Sequence, residues 1–256
     1  MTRHGFVCLY YGGTGSSWLL NTLETSPDVL IPAYEPLEWM HWQATEADKL
    51  QWVDAALDVP DAADPVAVAN WKDRLGSSPQ FVEFDPKPFR VAGFKMSPEA
   101  ISGVDELFEI VAKRRGKLLA IRREDRVRHA VSLYRAHEEG KHQFRGEGLL
   151  PPTKLKKRPF LKWLDYSDRV DADMAAIVTG AAPRLGAAKV LSVDYEDFLT
   201  DEGKADVVAR VAAFLDVDPA SMRWSSYQKA TPDALDEAVA NFTAMQRWLR
   251  GRPDSG

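Results

Sequence analysis

Apolar positions along this chain fall into short runs separated by glycine and proline turns, and the runs alternate with stretches of helical period. The first run, Phe6 to Tyr11, is apolar or aromatic throughout, as expected of a parallel strand covered on both faces. Gly12, Gly13 and Gly15 follow. Thr14, Ser16 and Ser17 are N-cap candidates, and Trp18, Leu19, Leu20 and Leu23 open the apolar face of a helix over about 16–25. Further runs predict strands at Val29 to Ile31, Phe89 to Met96, Leu118 to Ile121 and Val190 to Val193. Residues 37–80 predict at least two helices, broken at Pro60 and Pro65. A helix capped by Asp125 presents Val127, Ala130, Val131 and Tyr134 on one face. Helices are also expected over 161–179, over 204–215 with Val207, Val208, Val211 and Phe214 inward, and over 231–249. Strands alternating with helices indicate an α/β chain with a central parallel sheet flanked by helices.

Composition narrows the class. The 256 residues suit a single α/β domain, with a helical insertion at about 37–80 and a basic loop or lid at about 140–160. A net charge of −5 argues against general nucleic-acid binding, so an anionic ligand has to be held by local clusters. No apolar run is long enough to span a membrane. The chain enters its first strand without a long apolar leader, and a cytoplasmic protein is the default expectation. Cys8, the only cysteine, reads as buried core.

Candidate chemistry starts at the glycine turn. A helix N-terminus after such a turn offers free N–H groups and partial positive charge, which is an anion site and most often one for phosphate. The turn lacks the lysine of a Walker A motif, and its glycines also fit a βα turn that merely packs tightly. Glu35, just past the second strand, lies on the ligand side of a parallel sheet and is a candidate general base; either it or Glu38 alternatively caps the helix after Pro36. Lys95, at a strand end, points at the same anion or reaches solvent. Arg122 or Arg123, ten and nine residues before Ser132, can converge with that serine on a second phosphate; the spacing does not choose between them. The same stretch also fits a basic amphipathic helix. The segment 140–158, with Lys141, His142, Arg145, Lys154, Lys156, Lys157 and Arg158, is either a lid over an anion or a surface loop. His41 and Trp42 line an acceptor pocket or fill core, and Trp39, Trp52 and Trp71 leave the same choice between ring stacking and packing.

Taken together, the two stretches resemble the nucleotide sites of sulfotransferases that use 3′-phosphoadenosine 5′-phosphosulfate (PAPS). Thr14-Gly15-Ser16-Ser17-Trp18-Leu19 is similar to that family's 5′-phosphosulfate loop. The run from Arg122 to Ala136 is similar to its 3′-phosphate site, in wording nearest the bacterial carbohydrate sulfotransferases of the trehalose and nodulation-factor types. Gly93-Phe94-Lys95, Asp194 to Phe198 and Asn241 also fit the pattern. The resemblance implies a three-layer, P-loop-like fold and transfer of a sulfuryl group from PAPS, leaving PAP, to a hydroxyl of a carbohydrate, glycolipid or small alcohol, with no metal. It implies donor binding by Gly12, Gly13, Thr14, Gly15, Ser16, Ser17, Trp18, Arg122, Arg123 and Ser132. It implies catalysis by Glu35 as base, with Lys95 and Ser17 (and Thr14) at the leaving phosphate; His41 and His129 are alternative bases. One departure stands out: the family places Lys or Arg just before Thr14, where this chain has Gly13. Lys95 is the replacement cation to expect. Two other readings are a P-loop-like nucleotide kinase and a non-catalytic protein that binds PAP or another nucleotide.

Overall fold

The computed structural model describes residues 3–40, 44–76, 78, 80–81, 84, 88–140, 150–225, 232 and 234–252. The chain divides into two compact units, residues 1–122 with 173–225, and residues 123–172 with 226–256.

The first unit holds five parallel strands: β1 (His4–Leu9), β2 (Val29–Leu30), β3 (Val91–Met96), β4 (Lys117–Arg122) and β5 (Val190–Asp194), in the spatial order β2-β3-β1-β4-β5. Helices α1 (Ser16–Glu24), α2 (Pro36–Met40), α3 (Glu46–Leu57), α4 (Pro65–Leu75) and α5 (Val104–Lys113) lie between them in sequence. This is the expected α/β, P-loop-like arrangement, with the glycine turn joining the central strand to the first helix. β1 ends at Leu9, two residues before the predicted end; Tyr10 still donates its amide to Met96, but the chain then leaves for the turn.

Strand alternation divides the core into layers. Phe6 and Cys8 of β1 pack with Val91, Leu119, Ile121 and Val193, under Leu19, Leu20 and Leu23 of α1 and Val207, Val211 and Leu215 of α8 (Asp201–Leu215). Each such fully buried aliphatic side chain contributes roughly 1.5–3 kcal/mol. Phe214 is only partly buried, whereas Ala212 and Leu215 are buried in its place. Helix α3 packs on β1 and β3, with Trp52 edge-on to Phe94 at 4.9 Å. Trp52 and Trp71 are buried, and their indole N–H groups donate to the carbonyls of Leu75 and Ala55. The packing reading therefore holds for these two tryptophans. His41 and Trp42 lie outside the described residues.

The second unit contains α6 (Arg126–Glu138), residues 157–172 of α7 (Lys157–Leu185), α9 (Leu235–Ala238) and α10 (Phe242–Arg250). Its core joins Ala130, Val131 and Tyr134 of α6 to Phe160, Leu164, Val239 and Met245. The predicted single helix over 231–249 is instead two pieces. Val239 forms a parallel bridge with Thr153, and Asn241 clamps both the amide and the carbonyl of Leu155 (2.9 and 3.0 Å), so the backbone between the pieces is used outside the helix. Buried Arg135 ties the same region together through Thr153 Oγ1, Pro151 O and Ala238 O. Residues 141–149 of the predicted lid lie outside the described residues, and Lys157 and Arg158 belong to α7.

Candidate active site

The site is built at the carboxyl ends of β1 and β3. Gly13 (φ 80°) and Gly15 (φ 77°) both adopt the left-handed backbone that favours glycine. Gly15 is also packed against aromatic rings: a Cβ there would stand 2.9 Å from Tyr195 and from Phe198. The cap of α1 is Gly15 rather than Thr14, Ser16 or Ser17, and no side chain among the described residues caps the helix. Thr14 instead donates its hydroxyl to Tyr11 O (2.8 Å), holding the turn closed on itself. The first turn of α1 thus carries no acidic residue and no capping side chain, the condition in which its partial positive charge is open to an anion.

Lys95 reaches this helix end from the neighbouring strand. It pairs in register with Cys8, so by alternation it projects on the Phe6–Cys8 face, the face that α1 covers. Its ammonium is buried, with the side chain 4% exposed. It donates to Ser17 Oγ at 2.8 Å and Ser16 Oγ at 3.3 Å, and pairs with Glu35 Oε1 at 2.7 Å. It also sits 4.5 Å above the ring of Tyr10. A cation that far from water retains a strong field, since little solvent screens it.

Glu35 accepts from both Lys95 and the Tyr10 hydroxyl (2.8 Å). Burial pushes its carboxyl up, but the Lys95 charge and the two hydrogen bonds outweigh this, and the net direction is down. Glu38, three residues on and inside α2, behaves oppositely. Its Oε1 accepts the Ser97 amide at 2.6 Å and faces the Tyr10 hydroxyl at 3.4 Å, while Oε2 is buried with no hydrogen-bond partner among the described residues. Burial raises Glu38 to about 7 despite the Ser97 amide. The Tyr10 hydroxyl is raised too, first by burial and then by the two carboxylates facing it. Burial likewise pushes the Cys8 thiol up to about 12, against the pull of Lys95, so this thiol is inert core.

Trp18 is half-buried. It leans on Phe198 (5.2 Å between centroids) and meets the edge of Trp224, an exposed indole, at 6.0 Å. Arg122 is half-buried at the end of β4, its backbone in register with Asp194, and belongs to the first unit. Arg123 is buried and Ser132 is half-buried on the second turn of α6; both belong to the second unit. His129, an alternative base by sequence, is buried, with Nδ1 2.9 Å from Ser167 Oγ. The structure therefore brings the glycine turn, Ser16, Ser17, Lys95 and Glu35 together. Sequence reasoning missed Tyr10, which reads as one more aromatic strand residue, and missed that Glu38 faces it. The available signal was a hydroxyl-bearing aromatic at the exit of the strand that feeds the glycine turn.

Comparisons with solved structures find similarity to a sulfotransferase from Alicyclobacillus acidocaldarius, 20% identical over 98% of this chain and 100% of that one, with a TM-score of 0.49. The sulfotransferase domain of the Synechococcus PCC 7002 olefin synthase is 13% identical over 100% and 90%, with a TM-score of 0.49. A mouse sulfotransferase complexed with PAP is 16% identical over 84% and 59%, with a TM-score of 0.45. No family model and no curated protein matches the chain. Among the described residues, no helix is long and apolar enough to cross a membrane, and no group of three or more His, Cys, Asp or Glu is placed to hold a metal ion.

Proposed function

We propose that this protein is a PAPS-dependent sulfotransferase acting on a hydroxyl of a carbohydrate, glycolipid or small alcohol. The observation that carries this reading is the placement of Lys95: one buried ammonium touches both the serines of an uncapped helix N-terminus and the carboxylate of Glu35. An anion site and a base are thereby held one lysine apart, which is what transfer between an anionic donor and a hydroxyl requires.

PAPS supplies a sulfuryl group on a phosphate that leaves with increasing negative charge. The amides of 16–18, the Ser17 hydroxyl and Lys95 face that charge, fixed before the reaction begins. Gly13 explains the absent loop cation: its left-handed backbone favours glycine, and the charge arrives from β3 instead. Glu35 takes the proton of the acceptor hydroxyl. Arg122 or Arg123 with Ser132 holds the 3′-phosphate, and Trp18 offers a flat apolar face to the adenine.

Calorimetric titration with PAP, run beside ATP with magnesium, tests the donor class, and transfer of labelled sulfate from PAPS tests catalysis. Tight PAP binding with little ATP binding, together with transfer, is the expected result. Preference for ATP with magnesium would return the site to a kinase, and PAP binding without transfer to any hydroxyl acceptor would make this a non-catalytic nucleotide-binding protein.

A further inference from the structure

We infer that Tyr10 and Glu38 form a proton exit behind Glu35, so that the proton removed from the acceptor passes from Glu35 through the Tyr10 hydroxyl and comes to rest on Glu38. This rests on the transfer reaction proposed above and adds two residues to it.

The geometry is a three-member line. Tyr10 Oη lies 2.8 Å from Glu35 Oε1 and 3.4 Å from Glu38 Oε1. Glu38 lies in the first turn of α2 and Glu35 immediately precedes that helix, and the Tyr10 hydroxyl meets a carboxyl oxygen of each. The groups facing Glu38 are Tyr10 from just past β1, Glu35 from just before α2, and the Ser97 amide and Lys95 from the end of β3. Lys95 is in hydrogen-bond contact with Glu35 but not with Glu38. The two carboxyls therefore differ in kind. Glu35, 32% exposed and paired with a cation, is the open end of the line. Glu38 has a buried oxygen with no partner among the described residues, so its environment favours the neutral, protonated form. The rise of Glu38 to about 7 and the lowering of Glu35 agree with that order.

The step balances. As the acceptor O–H bond breaks and its oxygen bonds to sulfur, the proton binds Glu35. Tyr10 then gives its own proton to Glu38 and takes the one on Glu35, so tyrosine is neutral before and after. One proton has moved from Glu35 to Glu38, Glu35 is again ionised, and Lys95 keeps a counter-charge while the product phosphate departs. The proton returns to water by the same line once the sulfated acceptor has left Glu35 open.

Glu38→Gln keeps an oxygen for the Ser97 amide but cannot take a proton at neutral pH; Tyr10→Phe keeps the ring under Lys95 and removes the hydroxyl. Transfer from PAPS is measured from about pH 5 to about pH 9 with PAP affinity alongside. The wild type should lose kcat as pH falls through neutrality, because Glu38 is then already protonated. Glu38→Gln should lose that acid limb, and both variants should lose about tenfold in kcat above neutrality with PAP affinity nearly unchanged. Glu38→Gln with wild-type kcat and an unchanged acid limb would overturn the inference. Carbon NMR titration of the glutamate carboxyls provides a readout independent of turnover: the Glu38 resonance should titrate near neutrality and move in Tyr10→Phe. An unmoved Glu38 would overturn the line even if Glu38→Gln failed to fold. Absence of any transfer by wild type would instead fell the sulfotransferase reading, leaving the carboxyl coupling to the NMR result.

Discussion

Two junctions in this chain, each running from a buried strand into a helix, are capped in different ways. At the first, β1 leads through Gly13 and Gly15 into α1, and among the described residues no side chain caps the helix. At the second, β4 is followed by α6, where Asp125 closes the helix end by accepting the Arg128 amide and pairing with Arg128 Nε at 3.2 Å. The amides that open α1 meet no capping side chain among the described residues, whereas at α6 a carboxylate already accepts the Arg128 amide. The lesson is that a helix N-terminus becomes an anion site through what is missing from its cap as much as through its dipole.

The comparison can be broken most sharply at Lys95, which gives the first junction its full charge. Lys95→Ala should lower turnover by about 10²–10³-fold, the range found when one donor to a developing anion is removed. Steady-state transfer assays would show it, and unchanged turnover would mean that the open amides alone suffice. The next largest effect is expected from Gly15→Ala. The left-handed backbone and the 2.9 Å approach to Tyr195 and Phe198 together should cost about 2 kcal/mol of stability and weaken PAP as the turn reshapes, checked by chemical denaturation and calorimetry. Smallest is Asp125→Ala, which should cost about 1 kcal/mol as a lost cap while changing PAP affinity far less than Lys95→Ala. A loss of PAP binding as large as that of Lys95→Ala would show that the second junction depends on its capped geometry to hold the ligand.

How much of this was legible in the sequence varies by element. Strands with continuous apolar runs, such as Leu118 to Ile121, declare themselves because both faces are buried. Asp125 declares itself as a cap because capping is local chemistry between residues three apart. The cap of α1 was misplaced, because three hydroxyl residues compete there and only the turn geometry, with Thr14 folded back on Tyr11, decides among them. The final helix is broken where the local period predicts continuity, because the bridge from Val239 to Thr153 spans 86 residues of sequence and leaves no mark in that period.

The sequence by itself determined the α/β class, the parallel sheet and the glycine turn as a helix start, since these follow from hydrophobic period and backbone chemistry within a few residues. It also nominated Glu35 and Lys95, each from its place at the end of a strand. Only the tertiary structure decided that they meet. Lys95 is 79 residues from Ser16, and it reaches α1 because β3 lies beside β1 in a register that sets it opposite Cys8 on the covered face. The opposite behaviour of Glu35 and Glu38 was likewise decided in three dimensions. Two glutamates three residues apart are equivalent to any local reading. They differ because one contacts a buried ammonium and the other is buried without that contact, and such fields depend on distances that only folding sets.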